Sequence, residues 1–262
     1  AYDNWHKNLF KEKLIDKDII SPEPYRIWEY YNQKCNLAQG YDIAINNKGL
    51  REVTKPRMFL SKEEMIMGRQ IINQVKERLQ KEKTVIIQPF GRGVQHVDGS
   101  FIDNTGRSIE YKDFKLLIKK LQEQDFAVIS MAEMGFDFSK DKLPYDVAMP
   151  EQVSLRHWSA AIKFSNHFIG CDSVGQHLAY IMDTPSTVIC GPTFPINISY
   201  PECDYFNIVD LGMKDRVYDP IRIMPDETTS RHNENLMAMN DDIVEYVVDR
   251  VLGKPIPKDD DE

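Results

Sequence analysis

The residues best suited to chemistry form one short run, Asp172-Ser173-Val174-Gly175-Gln176-His177, directly after the apolar stretch His167-Phe168-Ile169-Gly170-Cys171. A strand that turns at once into a helix leaves the first backbone N–H groups of that helix unpaired. Those of Ser173, Val174 and Gly175, with the helix dipole behind them, would seat a phosphate or diphosphate. The same residues admit a plainer reading, in which Asp172 caps the helix for about 1 kcal/mol. His177, one turn in, is either a core histidine or a ligand contact. A second candidate is Arg107, near the end of an 18-residue stretch, Gly91 to Ser108, that has no strong period and is long for a connection. It could supply the cation that a diphosphate leaving group needs, or it could be a solvated surface arginine. Gly91 and Gly93 flank Arg92 and allow close backbone approach. The pattern G-x-G-x-x-G is not completed, because residue 96 is His, which disfavours a dinucleotide-dependent dehydrogenase.

Other chemistries find little support. The six histidines show no H-x-x-x-H spacing and no grouping with carboxylates, so neither a metal nor another cofactor is expected. No G-x-S-x-G elbow or P-loop occurs. Cys35, Cys171, Cys190 and Cys203 are widely spaced without a C-x-x-C pair, and are read as reduced thiols. Electrostatic binding of a phosphorylated ligand is what remains.

Those residues must be positioned by the elements around them. Ser61-Lys62-Glu63-Glu64 is a capping box that should start a helix with Met65, Ile72, Val75 and Leu79 on one face. It leads into the β-branched run Thr84-Val85-Ile86-Ile87-Gln88. Helical stripes at Phe114-Leu117-Ile118-Leu121, Leu155-Trp158-Ile162 and Val174-Leu178-Ile181 then alternate with strands at 126–129, 167–171 and 186–190. Such alternation means βαβ units and a Rossmann-like parallel sheet with helices on both faces. Tyr205 to Val209 adds a strand, and Asn240 caps a last helix carrying Ile243, Val247 and Val251. Ligands of such sheets bind beyond the carboxyl ends of the strands, which brings in Met131-Ala132-Glu133 and Gly191-Pro192-Thr193 as further loops. Upstream, Asp42-Ile43-Ala44-Ile45-Asn46 alternates like a short strand. The expected organisation is a partial amino-terminal region over 1–60, the Rossmann-like domain over 61–210, and a carboxyl-terminal extension over 211–262 with a frayed acidic tail at 258–262.

The composition, 42% hydrophobic and 28% charged over 262 residues, is that of a globular chain rather than a disordered one. With 33 basic and 41 acidic residues the net charge is −8, which argues against nucleic acid or an anionic membrane as partner. No apolar run spans a membrane and no signal pattern opens the chain, so a cytoplasmic location is expected. The first residue is Ala, as in a processed or trimmed chain.

The order of elements resembles a known family. Ile86-Ile87-Gln88-Pro89-Phe90-Gly91, a basic residue before the helix at Phe114, Val153-Ser154-Leu155, Phe168 to Ala179, and Gly191-Pro192-Thr193 together look like the carboxyl-terminal, donor-binding domain of glycosyltransferase family nine, the ADP-heptose:lipopolysaccharide heptosyltransferases. The similarity covers roughly residues 58 to 201. It implies a GT-B fold and a metal-independent inverting transfer of sugar from a nucleotide-diphosphate donor to a glycan or glycolipid acceptor. By that resemblance Asp172, Ser173, Val174 and Gly175 hold sugar and diphosphate, Val174 standing where the family has glycine, and His177 supports the loop. Arg107 takes the place of a phosphate-binding lysine, with the same charge and a different geometry. Glu133 reaches the ribose and Val153 lines the base pocket, while Gly91, Arg92, Gly191 and Thr193 complete the expected donor-binding set. An enzyme of this fold takes roughly 320 to 350 residues, so the beginning of the acceptor domain is expected to be missing. No catalytic base is assigned, since neither Asp3 nor Asp42 follows a convincing first strand. Two alternatives stand beside the transferase: a non-catalytic binding or assembly module that retains the fold, and a nucleotide-sugar epimerase, for which Glu133 would be one of the acid-base carboxylates required.

Overall fold

The computed structural model describes residues 22–91, 94–97, 100–103, 105–131, 147, 153–216 and 235–254, with only the backbone described at 96, 97, 100 and 101. The chain forms two compact units, Ala1–Val53 and Thr54–Glu262.

In the first unit a 3-10 turn, Pro24–Arg26, precedes α1 (Trp28–Tyr31) and α2 (Leu37–Asn46). The strand expected at 42–46 is therefore the second half of a helix. Its cause lies upstream: Asn36 accepts from the Gln39 backbone N–H at 3.0 Å while the Gln39 side chain accepts from the Asn36 N–H at 3.1 Å, a reciprocal cap that nucleates the first turn. Ile43 is buried and Ile45 half exposed, so the apparent alternation is one helix seen from two sides. Asp42, four residues before Asn46, accepts from its side chain at 2.7 Å and pairs with Arg51.

The second unit runs α3 (Lys62–Leu79), β1 (Lys83–Gln88), β2 (Val94–Val97), β3 (Ser100–Asp103), α4 (Tyr111–Glu123), β4 (Phe126–Ser130), α5 (Leu155–Phe164), β5 (His167–Gly170), α6 (Val174–Ile181), β6 (Ser186–Cys190), α7 (Pro195–Ile198), β7 (Phe206–Asp210) and α8 (Asp241–Val251). The capping boxes and caps act where the sequence places them. Ser61 Oγ accepts from the Glu64 N–H at 3.1 Å, Glu64 returns the bond to the Ser61 N–H at 2.7 Å, and Asn240 accepts from Ile243. Five strands form one parallel sheet in the order β4-β1-β5-β6-β7. Side chains alternate through it. Val85, Ile87, Val128, Ile169 and Ile189 meet α4 and α8 on one face, and Ile86, Ala127, Ile129, Phe168 and Val188 meet α3, α5 and α6 on the other. The α4 stripe Phe114, Leu117, Ile118 and Leu121 is wholly buried, so Leu117→Ala should cost about 2–5 kcal/mol.

Within the long stretch from Gly91 to Ser108, β2 and β3 pair as an antiparallel hairpin that stands apart from the main sheet. Arg92, Glu133 and the acidic tail lie outside the described residues. Among the described residues no helix is long and apolar enough to cross a membrane.

Candidate functional site

The chain leaves β1 for β4 on one side of it, then returns to lay β5 on the other, so the strand order reverses between β1 and β5. At such a switch point the connections at the carboxyl edge diverge and open a crevice. Gln88, the last residue of β1, pairs in register with Gly170, the last of β5, which places the loops leaving both strands side by side.

Asp172 does not cap α6. The cap position belongs to Ser173, whose side chain makes no cap bond. One oxygen of Asp172 accepts from Arg107 Nη1 at 3.2 Å and the other from Gln176 Nε2 at 3.4 Å. The cap is supplied from outside the helix: Gln88 Oε1 accepts from the Gly175 N–H at 2.6 Å, and Gln88 Nε2 donates to Ser173 Oγ at 3.0 Å. Of the three backbone donors expected to face a ligand, that of Gly175 is thus already engaged by the protein. Gly175 is required here because a Cβ would stand 2.4 Å from Gln88 Oε1 and 2.5 Å from Phe168 Cζ.

Arg107 is no solvated surface residue. Its loop is knotted by Asp103, which accepts from the Thr105 N–H at 2.7 Å, from the Ser108 N–H at 3.0 Å and from Ser108 Oγ at 2.6 Å. Burial pushes the Asp103 carboxyl upward, but the hydrogen bonds from Ser108 and Thr105 outweigh it and hold its pKa below the usual value. Ser108 Oγ in turn accepts from the Gly91 N–H at 3.0 Å, and the Ile109 N–H donates to Pro89 O at 2.8 Å, tying the loop to the end of β1. Burial opposes the Arg107 cation, and the facing Asp172 carboxylate more than restores it. Nε of Arg107 is buried with no hydrogen-bond partner among the described residues.

Three more buried polar atoms share that condition at the same edge of the sheet. They are Ser130 Oγ at the end of β4, Gln176 Oε1 in the first turn of α6, and Thr193 Oγ1 in the loop after β6. Buried polar groups in folded proteins are satisfied as a rule, so four orphans along one carboxyl edge point to a polar ligand or ordered water.

The remaining expected residues divide. Val174 is exposed on the first turn of α6, beside the pair. His177 shares a hydrogen bond of 2.8 Å between Nδ1 and Tyr200 Oη and meets that ring edge-on. Burial lowers its pKa, with the Asp172 charge opposing, so the imidazole is neutral at pH 7. Gly191 lies in the loop after β6, where its carbonyl accepts from Arg216 Nε at 2.7 Å. Val153 is partly buried and packs against the core just ahead of α5, at the end of the connection from β4. Gln88, Tyr200 and Arg216 were not foreseen, and Gln176 was named only as part of its run. For Gln88 a signal exists: it is the one amide closing the apolar run Val85-Ile86-Ile87, and a buried polar residue in that place needs partners.

A Rossmann-like sheet with an arginine and a helix N-terminus at its switch point is an arrangement that could seat an anionic ligand. As a sequence the chain matches no family model and no curated protein. As a structure it is similar to a glycosyl transferase family 9 protein from Veillonella parvula at 11% identity and TM-score 0.62, over 94% of this chain and 66% of that one. It is also similar to E. coli ADP-heptose lps heptosyltransferase II at 12% identity and TM-score 0.53, over 84% of this chain and 62% of that one. The fold is thus that of the heptosyltransferase-like, GT-B-type glycosyltransferases, and the chain spans under two thirds of the length of these two structures.

The expectation of a metal-free enzyme is corrected. Among the structural matches is TibC of enterotoxigenic E. coli, described as an iron-containing dodecameric glycosyltransferase (12% identity, 85% of this chain and 56% of that one, TM-score 0.44). Among the described residues no group of three or more His, Cys, Asp or Glu side chains could hold a metal ion.

Proposed function

We propose that the chain is the donor-binding part of a glycosyltransferase that moves a sugar from a nucleotide diphosphate to a hydroxyl of a glycan or glycolipid, with inversion at the anomeric carbon. The observation that carries this is the Arg107–Asp172 pair at the switch point, where a buried guanidinium keeps one N–H without a partner. In the transfer the bond between the anomeric carbon and the diphosphate oxygen breaks, its electron pair staying with the diphosphate, as the acceptor oxygen bonds to that carbon and releases its proton to a general base or to water. Arg107 and the first N–H groups of α6 would stabilise the charge that grows on the leaving diphosphate. Asp172, an acceptor of hydrogen bonds only, suits the sugar hydroxyls. Val174, Gly175, His177, Gly191 and Thr193 would shape the rest of the seat. A cytoplasmic location belongs to this reading, and the four free thiols speak for it. The likeness in fold supports the class of reaction; the sugar is left to experiment.

The test is a thermal-shift panel of ADP, UDP, GDP, CMP and their common sugar conjugates on wild type and Asp172→Ala, followed by donor turnover. A nucleotide at about a hundred times its dissociation constant should stabilise the fold by about 2.7 kcal/mol. That shift should be lost or weakened in Asp172→Ala, with turnover lost alongside. Binding without turnover under any condition would leave a binding module, and an isomerised donor sugar formed without acceptor would mean an epimerase.

A further inference from the structure

We propose that Gln88 is the positioning residue of this site: it clamps the start of α6 and, by occupying one lone pair of Ser173 Oγ, orients the Ser173 hydroxyl so that its proton can be donated toward the anionic part of the ligand. The inference rests on the nucleotide-diphosphate reading above.

The amide orientation follows from chemistry. A backbone N–H can only donate, so the end of Gln88 that lies 2.6 Å from the Gly175 nitrogen is the carbonyl oxygen Oε1. The other end is then the amino group, and at 3.0 Å from Ser173 Oγ it must donate. A hydroxyl that accepts there still has its own proton to give. Ser173 is only partly buried, and it stands between Asp172, which pairs with Arg107, and the exposed Val174. The Ser173 hydroxyl proton thus stays available, on the residue next to Asp172, whose partner Arg107 keeps Nε unpartnered.

The arrangement also explains a missing cap. Helix α6 has no side-chain cap of its own, and its first turn carries no acidic residue. An acidic cap would satisfy the N–H of Gly175 but would set a negative charge where a phosphate is to bind. A neutral amide reaching over from β1 satisfies it without that charge. Because Gln88 is the last residue of a central strand and is itself buried, its backbone is held in the ladder to β5, opposite Gly170, and the clamp inherits that rigidity.

Three variants of the full chain separate the parts: Gln88→Met, which keeps the volume and removes both bonds; Gln88→Glu, which keeps the acceptor for Gly175 and removes the donor to Ser173; and Ser173→Ala. The first readout, amide hydrogen exchange at Gly175, needs no ligand. It should speed up about tenfold in Gln88→Met and stay near wild type in Gln88→Glu. The second is calorimetric affinity for ADP, UDP, GDP and inorganic pyrophosphate. Gln88→Met and Ser173→Ala should each weaken the bound anion about tenfold. Gln88→Met should add less than about twofold once Ser173 is already Ala, because it acts through that hydroxyl. Gln88→Glu should weaken the anion although its helix start is intact. Unchanged exchange at Gly175 in Gln88→Met overturns the clamp. Additive losses in the double variant overturn the action through Ser173. A wild type that binds none of the probes overturns the underlying reading, and the exchange result still decides whether the clamp exists.

Discussion

Two arginine–aspartate pairs stand at the carboxyl edge of the same sheet, and they differ in what they leave unused. Arg216, beyond β7, engages all three of its nitrogens: Nε donates to Gly191 O at 2.7 Å, both Nη groups donate to the Asp210 carboxylate, and its guanidinium lies 4.8 Å from the Phe194 ring. Its side chain is 4% exposed. Arg107, at the switch point, makes one bond of 3.2 Å to Asp172, keeps Nε without a partner, and is 28% exposed. The chemistry of the two ion pairs is the same. A guanidinium with every nitrogen engaged fastens two loops, whereas one with its Nε unpartnered, at the place where the fold opens a crevice, is available to a ligand.

The comparison breaks first on stability. Arg216→Ala strands the Asp210 carboxylate and unfastens the Gly191 carbonyl, which should cost about 3–5 kcal/mol in urea unfolding. A loss under about 1 kcal/mol would mean that the saturated pair is no clamp and that counting spent donors says nothing.

Acid would confuse that test unless one further group is separated from it. His167 on β5 is buried against Thr187, Nε2 to Oγ1 at 2.9 Å, and burial lowers its pKa from 6.5 to about 4. Between those values the unfolded chain takes up a proton that the native chain refuses. Stability should therefore fall as pH drops from 6.5 to 4, by about 3 kcal/mol in all, and stay level in this respect below that. His167→Gln, measured by denaturant unfolding at both pH values, should flatten this part of the profile. If it does not, the acid loss belongs to the carboxylates of the pairs.

How far these features could be read from the sequence follows from how local their causes are. The β-branched runs of the strands and the buried stripe of α4 declare themselves, because burial on both faces selects mostly apolar residues. Arg107 and Asp172 could be named because the edge of a parallel sheet is where ligands bind. Their contact could not, since 65 residues separate them and the Asp103 knot that aims Arg107 shows no period. Gln88 escaped notice because it reads as the end of a strand before proline. Arg216 lies in Leu211-Gly212-Met213-Lys214-Asp215-Arg216, which looks like a solvated turn until the fold brings Gly191 beneath it. Residues 42–46 were misread because a period-2 pattern over five residues is weaker than the cap six residues upstream.

A sharper probe of the switch-point side is Gly175→Ala. Its methyl would lie 2.4 Å from Gln88 Oε1 and 2.5 Å from Phe168 Cζ, so the helix start must shift or the clamp must leave. The expected loss is about 1–3 kcal/mol by chemical denaturation, with faster exchange of the residue 175 amide. Wild-type stability would show that the start of α6 yields easily and that the seat is not built to a fixed shape.

The smallest expected effect discriminates best. Arg107→Lys keeps a cation opposite Asp172, so the native pair survives as a point-charge contact and stability should change by less than about 1 kcal/mol. What the substitution removes is the planar fork, and with it the Nε–H that the folded chain leaves unspent. If that donor serves a diphosphate, nucleotide affinity should fall by about 1.5 kcal/mol, or roughly tenfold in calorimetry. Fold and charge would be unaltered. The matching Arg216→Lys should show the opposite pattern, losing stability more than affinity, because each of its nitrogens is engaged inside the protein. Equal responses of the two lysine variants would erase the distinction between them and return Arg107 to the structure; divergent responses would tie the site to the one guanidinium that has a hydrogen bond left to make.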